Sequence, residues 1–123
     1  MEVEEIKIVL RAWSEKNSIV RKTYLFGSRA RKDFRADSDI DIAVQLNKLP
    51  QDGSEYSTWM FSADELKKSL GSLLPFELQL EWYCPNSTPT VHKGIMESSI
   101  LVYDQKNPYK AFNPDPEAIG DRR

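Results

Sequence analysis

The chain has 123 residues, 40% hydrophobic and 29% charged, with a formal net charge of −2. Those values fit one ordinary globular domain and exclude a general electrostatic pull toward nucleic acid or an anionic membrane. With Cys84 as the single cysteine, no intramolecular disulfide and no cysteine-built zinc site can form. The acidic start "MEVEEIKIVLRAW" lacks a signal-peptide layout, and no apolar run reaches membrane-span length. A cytoplasmic protein that makes no use of a membrane is therefore expected.

Residues 2–16 carry Val3, Ile6, Val9, Leu10 and Trp13 at three- and four-residue steps, with Glu and Lys between them, which predicts an amphipathic helix. "KTYLF", 22–26, reads as a short buried strand stopped by Gly27, and 28–33 as a short helical turn. "DIDIAVQL", 39–46, alternates: Ile40, Ile42 and Val44 take one face, Asp39, Asp41 and Ala43 the other. Pro50 and Asp52-Gly53 mark a loop. A helix follows from about 58 to 71, ending at Gly71. "PFELQLEWY", 75–83, is a strand with Phe76, Leu78, Leu80 and Trp82 on one face and Glu77, Gln79 and Glu81 on the other. Residues 90–98 suit a helix and 100–103 a last strand. The expected organisation is one domain over 1–105 and a flexible tail over 106–123, where prolines replace apolar periodicity. Alternating helices and strands predict an α/β or α+β domain with a small mixed sheet flanked by helices.

Residues two apart on a strand point the same way, so Asp39 and Asp41 present their carboxylates together. Two such charges repel and raise each other's pKa unless a cation lies between them. Mg²⁺ is often held by one or two carboxylates plus substrate phosphates. Asp-x-Asp alone is short and frequent, and an exposed strand start would also explain it. The upstream residues add weight to the metal reading. Gly27 allows a tight turn and close backbone approach. Ser28 offers backbone N–H and hydroxyl donors, and Arg29 and Arg31 suit phosphate oxygens. A strand, Gly-Ser, a short helix and a strand with Asp-x-Asp together describe a phosphate cradle beside a metal site.

"YLFGSRARKDFRADSDIDIAV" resembles the polymerase-beta-like nucleotidyltransferases: Gly27-Ser28, ten residues, then Asp39 and Asp41. It is similar to the minimal, stand-alone members, and the resemblance covers about 20–46 well. It implies a third carboxylate on a neighbouring strand, for which Glu77 and Glu81 both lie on a polar face. The frame "LEWYCP" with "LVY" at 101–103 favours Glu81, with glutamate in place of the usual aspartate.

The resemblance implies transfer of a nucleoside monophosphate, AMP from ATP by family habit, to an acceptor hydroxyl. It implies two Mg²⁺ ions, or Mn²⁺, on Asp39, Asp41 and Glu81, with the triphosphate on Gly27, Ser28, Arg29 and Arg31. It also implies a helical HEPN-type partner, as in toxin–antitoxin pairs where the nucleotidyltransferase is the antitoxin. A small-molecule acceptor and a catalytically weak binding protein on the same fold are the alternatives. A homo- or hetero-oligomer suits so small a domain, and the acidic balance argues against a polynucleotide substrate. Trp59, Trp82 and Tyr83 could stack on a base, but small domains use such rings as core. His92 is expected to be structural or solvent-exposed and Cys84 inert.

Overall fold

The computed structural model describes residues 1–32, 35 and 38–106. Its elements are α1 (Val3–Lys16), β1 (Val20–Phe26), α2 (Ser28–Arg31), β2 (Ile40–Leu46), α3 (Glu55–Gly71), β3 (Leu78–Trp82), α4 (Pro89–Glu97) and β4 (Ser99–Asp104). The strands form one sheet in the order β3-β2-β1-β4. β1 is antiparallel to β2 and to β4, while β2 and β3 run parallel. This is the small mixed sheet of an α+β domain that the alternation of elements predicts. The part of the expected tail beyond Lys106, residues 107–123, lies outside the described residues.

The main core lies between one face of the sheet and two helices. Ile6, Leu10 and Trp13 of α1 and Leu66 and Leu70 of α3 pack on Leu25, Ile40, Ile42, Val44 and Leu80. Each such aliphatic side chain withdrawn from water contributes about 1.5–3 kcal/mol before entropy is counted. The Trp13 indole N–H donates to Ser69 Oγ at 2.9 Å and ties α1 to α3. The other face carries a smaller cluster, Ala43, Tyr83 and Ile95, with Tyr24, Phe26 and Val91 beside it. There α4 comes close because Gly94 has no side chain: a Cβ would stand 3.2 Å from the Phe26 ring.

Two boundaries differ from the periodicity. α3 begins at Glu55, not near 58, because Ser54 caps it: the Ser57 N–H donates to Ser54 Oγ at 3.1 Å. β3 is confined to Leu78–Trp82, starting where β2 begins to offer a partner, with Leu78 beside Ile40. β2 departs from a half-buried strand in the other direction. Both of its faces are covered, and of its seven residues only Asp41 is not buried. No described helix is long and apolar enough to cross a membrane.

Candidate active site

The polar feature sits at the N-terminal end of β2 and along the same face of its neighbour β3. Asp39 immediately precedes β2 and Asp41 is its second residue. The parallel register sets Gln79 beside Asp41 and Glu81 beside Ala43, so Asp41, Gln79 and Glu81 share one face. Gln79 Nε2 stands 3.5 Å from Asp39 Oδ2, at the outer limit of a hydrogen bond. Sequence reasoning placed Gln79 on this face without giving it a task. Only the strand register brings it beside Asp41 and within reach of Asp39.

Asp41 carries the electrostatic strain of the site. Burial pushes its carboxyl above the ordinary aspartate value, the charges of Asp39 and then Glu81 push it further, and Arg31 pulls it back. Glu81, not Glu77, is the glutamate whose charge acts on Asp41. Among the described residues no three acidic, histidine or cysteine side chains converge tightly enough to enclose an ion as they stand. Asp39 and Asp41 are adjacent on one face, while Glu81 faces them from the neighbouring strand.

The turn between β1 and α2 is shaped around Asp41. Gly27 has φ +75°, a left-handed backbone that side chains disfavour. A Cβ on it would lie 2.5 Å from Asp41 Oδ2 and 3.2 Å from Cγ. Glycine is thus required twice, for the turn and for the space before the carboxylate. The Gly27 C=O accepts from the Ala30 and Arg31 N–H groups, both at 3.1 Å, which starts α2 directly after the turn. Arg31, exposed, is thereby placed where its charge acts on Asp41, and Ser28, partly exposed, follows the Gly27 turn directly.

Arg29, expected at a phosphate, is placed otherwise. It is 1% exposed; its guanidinium lies over the Phe76 ring at 3.7 Å, and Nη2 donates to the Ser38 C=O at 2.9 Å. Burial lowers its pKa. These contacts hold Ser38, the residue directly before Asp39, whose N–H also donates to the Arg35 C=O at 3.1 Å. A helical arginine beside Gly-Ser reads the same in sequence whether it faces a ligand or Phe76, and the Phe76 contact is long-range.

Of the aromatic residues, Tyr83 is core, buried edge-on to Tyr24 with centroids 5.4 Å apart. Its hydroxyl is 2.6 Å from His92 Nδ1, which gives that histidine a structural bond from α4 to the residue just after β3. Burial raises the pKa of the Tyr83 phenol. Trp59 and Trp82 pack on the main core but also line a cleft of about 390 Å³ with Lys67, Gln79, Glu81, Thr88 and Val91. Cys84 is partly exposed and free.

The sequence model of the family described as "Polymerase beta, Nucleotidyltransferase" matches residues 8–108. No curated protein matches the sequence. Among solved structures, a toxin–antitoxin crystal structure with AMP-PNP aligns with a TM-score of 0.59 at 19% identity, covering 94% of this chain and 87% of that one. A structure from Shewanella oneidensis aligns at 0.56 and 17%, covering 98% and 88%. A mutant of the toxin–antitoxin MntA-HpeT aligns at 0.55 and 18%, covering 99% and 89%. At these identities the likeness is one of fold.

Proposed function

This chain belongs to the polymerase-beta nucleotidyltransferase family, and on that premise we propose that it moves AMP from ATP to a hydroxyl of a protein partner. The observation that carries the reading is the fit of the Gly27 turn to Asp41. A side chain is missing where a carboxylate faces a turn, and that carboxylate is pushed toward protonation by burial first and then by the charges of Asp39 and Glu81. Such a set is costly as an empty surface and useful as a cation seat. The oxygen donors suit Mg²⁺ or Mn²⁺, held by Asp39, Asp41 and Glu81. Two such ions would neutralise phosphate charge and lower the pKa of the acceptor hydroxyl.

The chain's own groups supply the rest. Ser28 and the Gly27 backbone receive the β- and γ-phosphates, with Arg31 as their cationic partner. Arg29 acts indirectly, by fixing the approach to Asp39. The acceptor oxygen forms a bond to the α-phosphorus, the bond to the bridging oxygen breaks, and pyrophosphate leaves with the electron pair. Glu81 takes the acceptor proton. Most of the acceleration comes from positioning and charge neutralisation. The AMP-PNP in one structural neighbour supports ATP as the donor, and the toxin–antitoxin neighbours support a protein partner as the acceptor; the HEPN type is what the sequence resemblance adds.

The test is α-labelled ATP with Mg²⁺ in an extract of the source cells, comparing the wild type with Asp39→Ala and Asp41→Ala. A labelled protein that requires both aspartates is the expected result. A labelled small molecule would replace the acceptor class. No label with any of the four nucleotides would leave a binding protein on this fold.

A further inference from the structure

β3 is the edge strand of the sheet. The Ile40 N–H donates to the Glu77 C=O at 2.9 Å and the Tyr83 N–H to the Val44 C=O at 2.8 Å. Along a parallel ladder, alternate residues turn both backbone groups to the same neighbour. Residues 77, 79, 81 and 83 therefore pair with β2, and Leu78, Leu80 and Trp82 turn their N–H and C=O groups outward. Among the described residues nothing pairs with those groups. Leu80 anchors this edge with its side chain in the main core. A row of unpaired backbone groups along an edge strand is a ready template for pairing with another chain.

The outward edge is the floor of the cleft of about 390 Å³, with Trp59 and Lys67 of α3 on one wall and Thr88 and Val91 on the other. The indole Nε1 of Trp82, another lining residue, is buried and has no hydrogen-bond partner. Alternating backbone donors and acceptors, one orphan side-chain donor and aromatic walls match an extended polypeptide better than a compact small molecule. Glu81 lines the same cleft and faces Asp41 across the sheet surface.

Resting on the nucleotidyl-transfer reading, we propose that this cleft is the acceptor subsite, and that it takes the acceptor protein as an extended segment added to the sheet beside β3. On such a strand, about 4.8 Å away, the residue opposite Glu81 points its side chain to the face shared by Glu81 and Asp41. That residue carries the acceptor hydroxyl. Its neighbours in sequence point to the opposite face, where Trp59 and Lys67 favour an apolar or acidic side chain.

The experiment uses the full chain, Mg²⁺, α-labelled ATP and source-cell extract, with two edge variants. Leu78→Pro removes an outward N–H at the first residue of an edge strand, where proline is tolerated. Trp82→Phe removes the indole donor and keeps a ring. Each is expected to cut acceptor labelling at least tenfold while Mg-ATP binding, measured by calorimetry, is unchanged. Amide exchange at Leu78, Leu80 and Trp82 is expected to slow when the protein labelled by the wild type is purified and added. Should Leu78→Pro fail to fold, Trp82→Phe and the exchange pattern decide. Unchanged labelling by Trp82→Phe together with no protection at those amides overturns the proposal. So does a dimer of the chain alone, in sedimentation, that already protects them. Wild-type protein that labels nothing fails the nucleotidyl-transfer reading itself, and this subsite with it; a labelled small molecule overturns the peptide subsite alone.

Discussion

On one face of the sheet, Ile40, Ile42 and Val44 are wholly buried under α1 and α3. On the other, the same strand presents Asp41, half-covered by the Gly27 turn, with Asp39 before it and Glu81 next door. The first face lowers the free energy of the fold by removing carbon from water. The second raises it, by gathering carboxylates whose charges oppose one another and by holding Gly27 at φ +75°. One strand does both because its side chains alternate, so stability and chemistry lie a single residue apart.

The separation is broken most sharply by truncating each face in turn. Asp41→Ala should lower transfer by about a hundredfold or more, the scale of losing a group that stabilises charge at a reacting centre, while thermal unfolding stays cooperative. Leu10→Ala, on the α1 side, should cost about 2–5 kcal/mol of stability and leave turnover per folded molecule unchanged. Urea denaturation and steady-state labelling of both variants would decide. A Leu10→Ala protein that is stable but inactive would show that the faces are not separable.

Gly27→Ala sharpens the contrast because it tests the second face through the backbone. The added Cβ meets Asp41 Oδ2 at 2.5 Å and must hold a left-handed φ. A cost of about 1–3 kcal/mol is expected from the conformation alone, because φ +75° with ψ −151° is a region that essentially only glycine occupies, together with loss of Mg²⁺-dependent ATP binding as Asp41 is displaced. Gly53→Ala is the control: a Cβ there meets nothing within 4 Å and φ is ordinary. Calorimetric titration with Mg-ATP separates them, and equal binding by both variants would remove Gly27 from the site.

How far the sequence discloses each face follows from the range of the interactions. The eight elements and the pairing of Asp39 with Asp41 are periodic or local, and they can be read from residues 3 to 46 and their successors. The covered second face of β2 is not, because it is closed by α4, whose Ile95 and Val91 pack near Ala43 and whose Gly94 lies against Phe26, all far apart in the chain. The same holds for Arg29. Its partner Phe76 lies across the fold, so a residue expected at a phosphate is found bracing a loop. The sequence frame around "LEWYCP" favours Glu81 over Glu77, but its position beside Ala43, on the face of Asp41, needs the β2–β3 register.

The smallest effect expected is the most specific. Asp41→Asn keeps shape and removes charge. In the folded protein without metal, burial, Asp39 and Glu81 hold the Asp41 pKa above its unfolded value. The native state therefore binds more protons than the unfolded chain between those two values, and stability falls as pH rises through that window. Above it Asp41 is ionised in both states and the full penalty persists at neutral pH. Asp41→Asn should then melt higher than the wild type at pH 7, and the gain should vanish at a pH below the ordinary aspartate value. Mg²⁺ should raise the melting temperature of the wild type and not of the variant, because ligand binding to the native state is stabilising only where the seat exists. Melting curves at both pH values, with and without Mg²⁺, measure all of this. A variant that melts lower at neutral pH would mean that the Asp41 charge supports the fold, and the division between the two faces would fail at the residue where it is steepest.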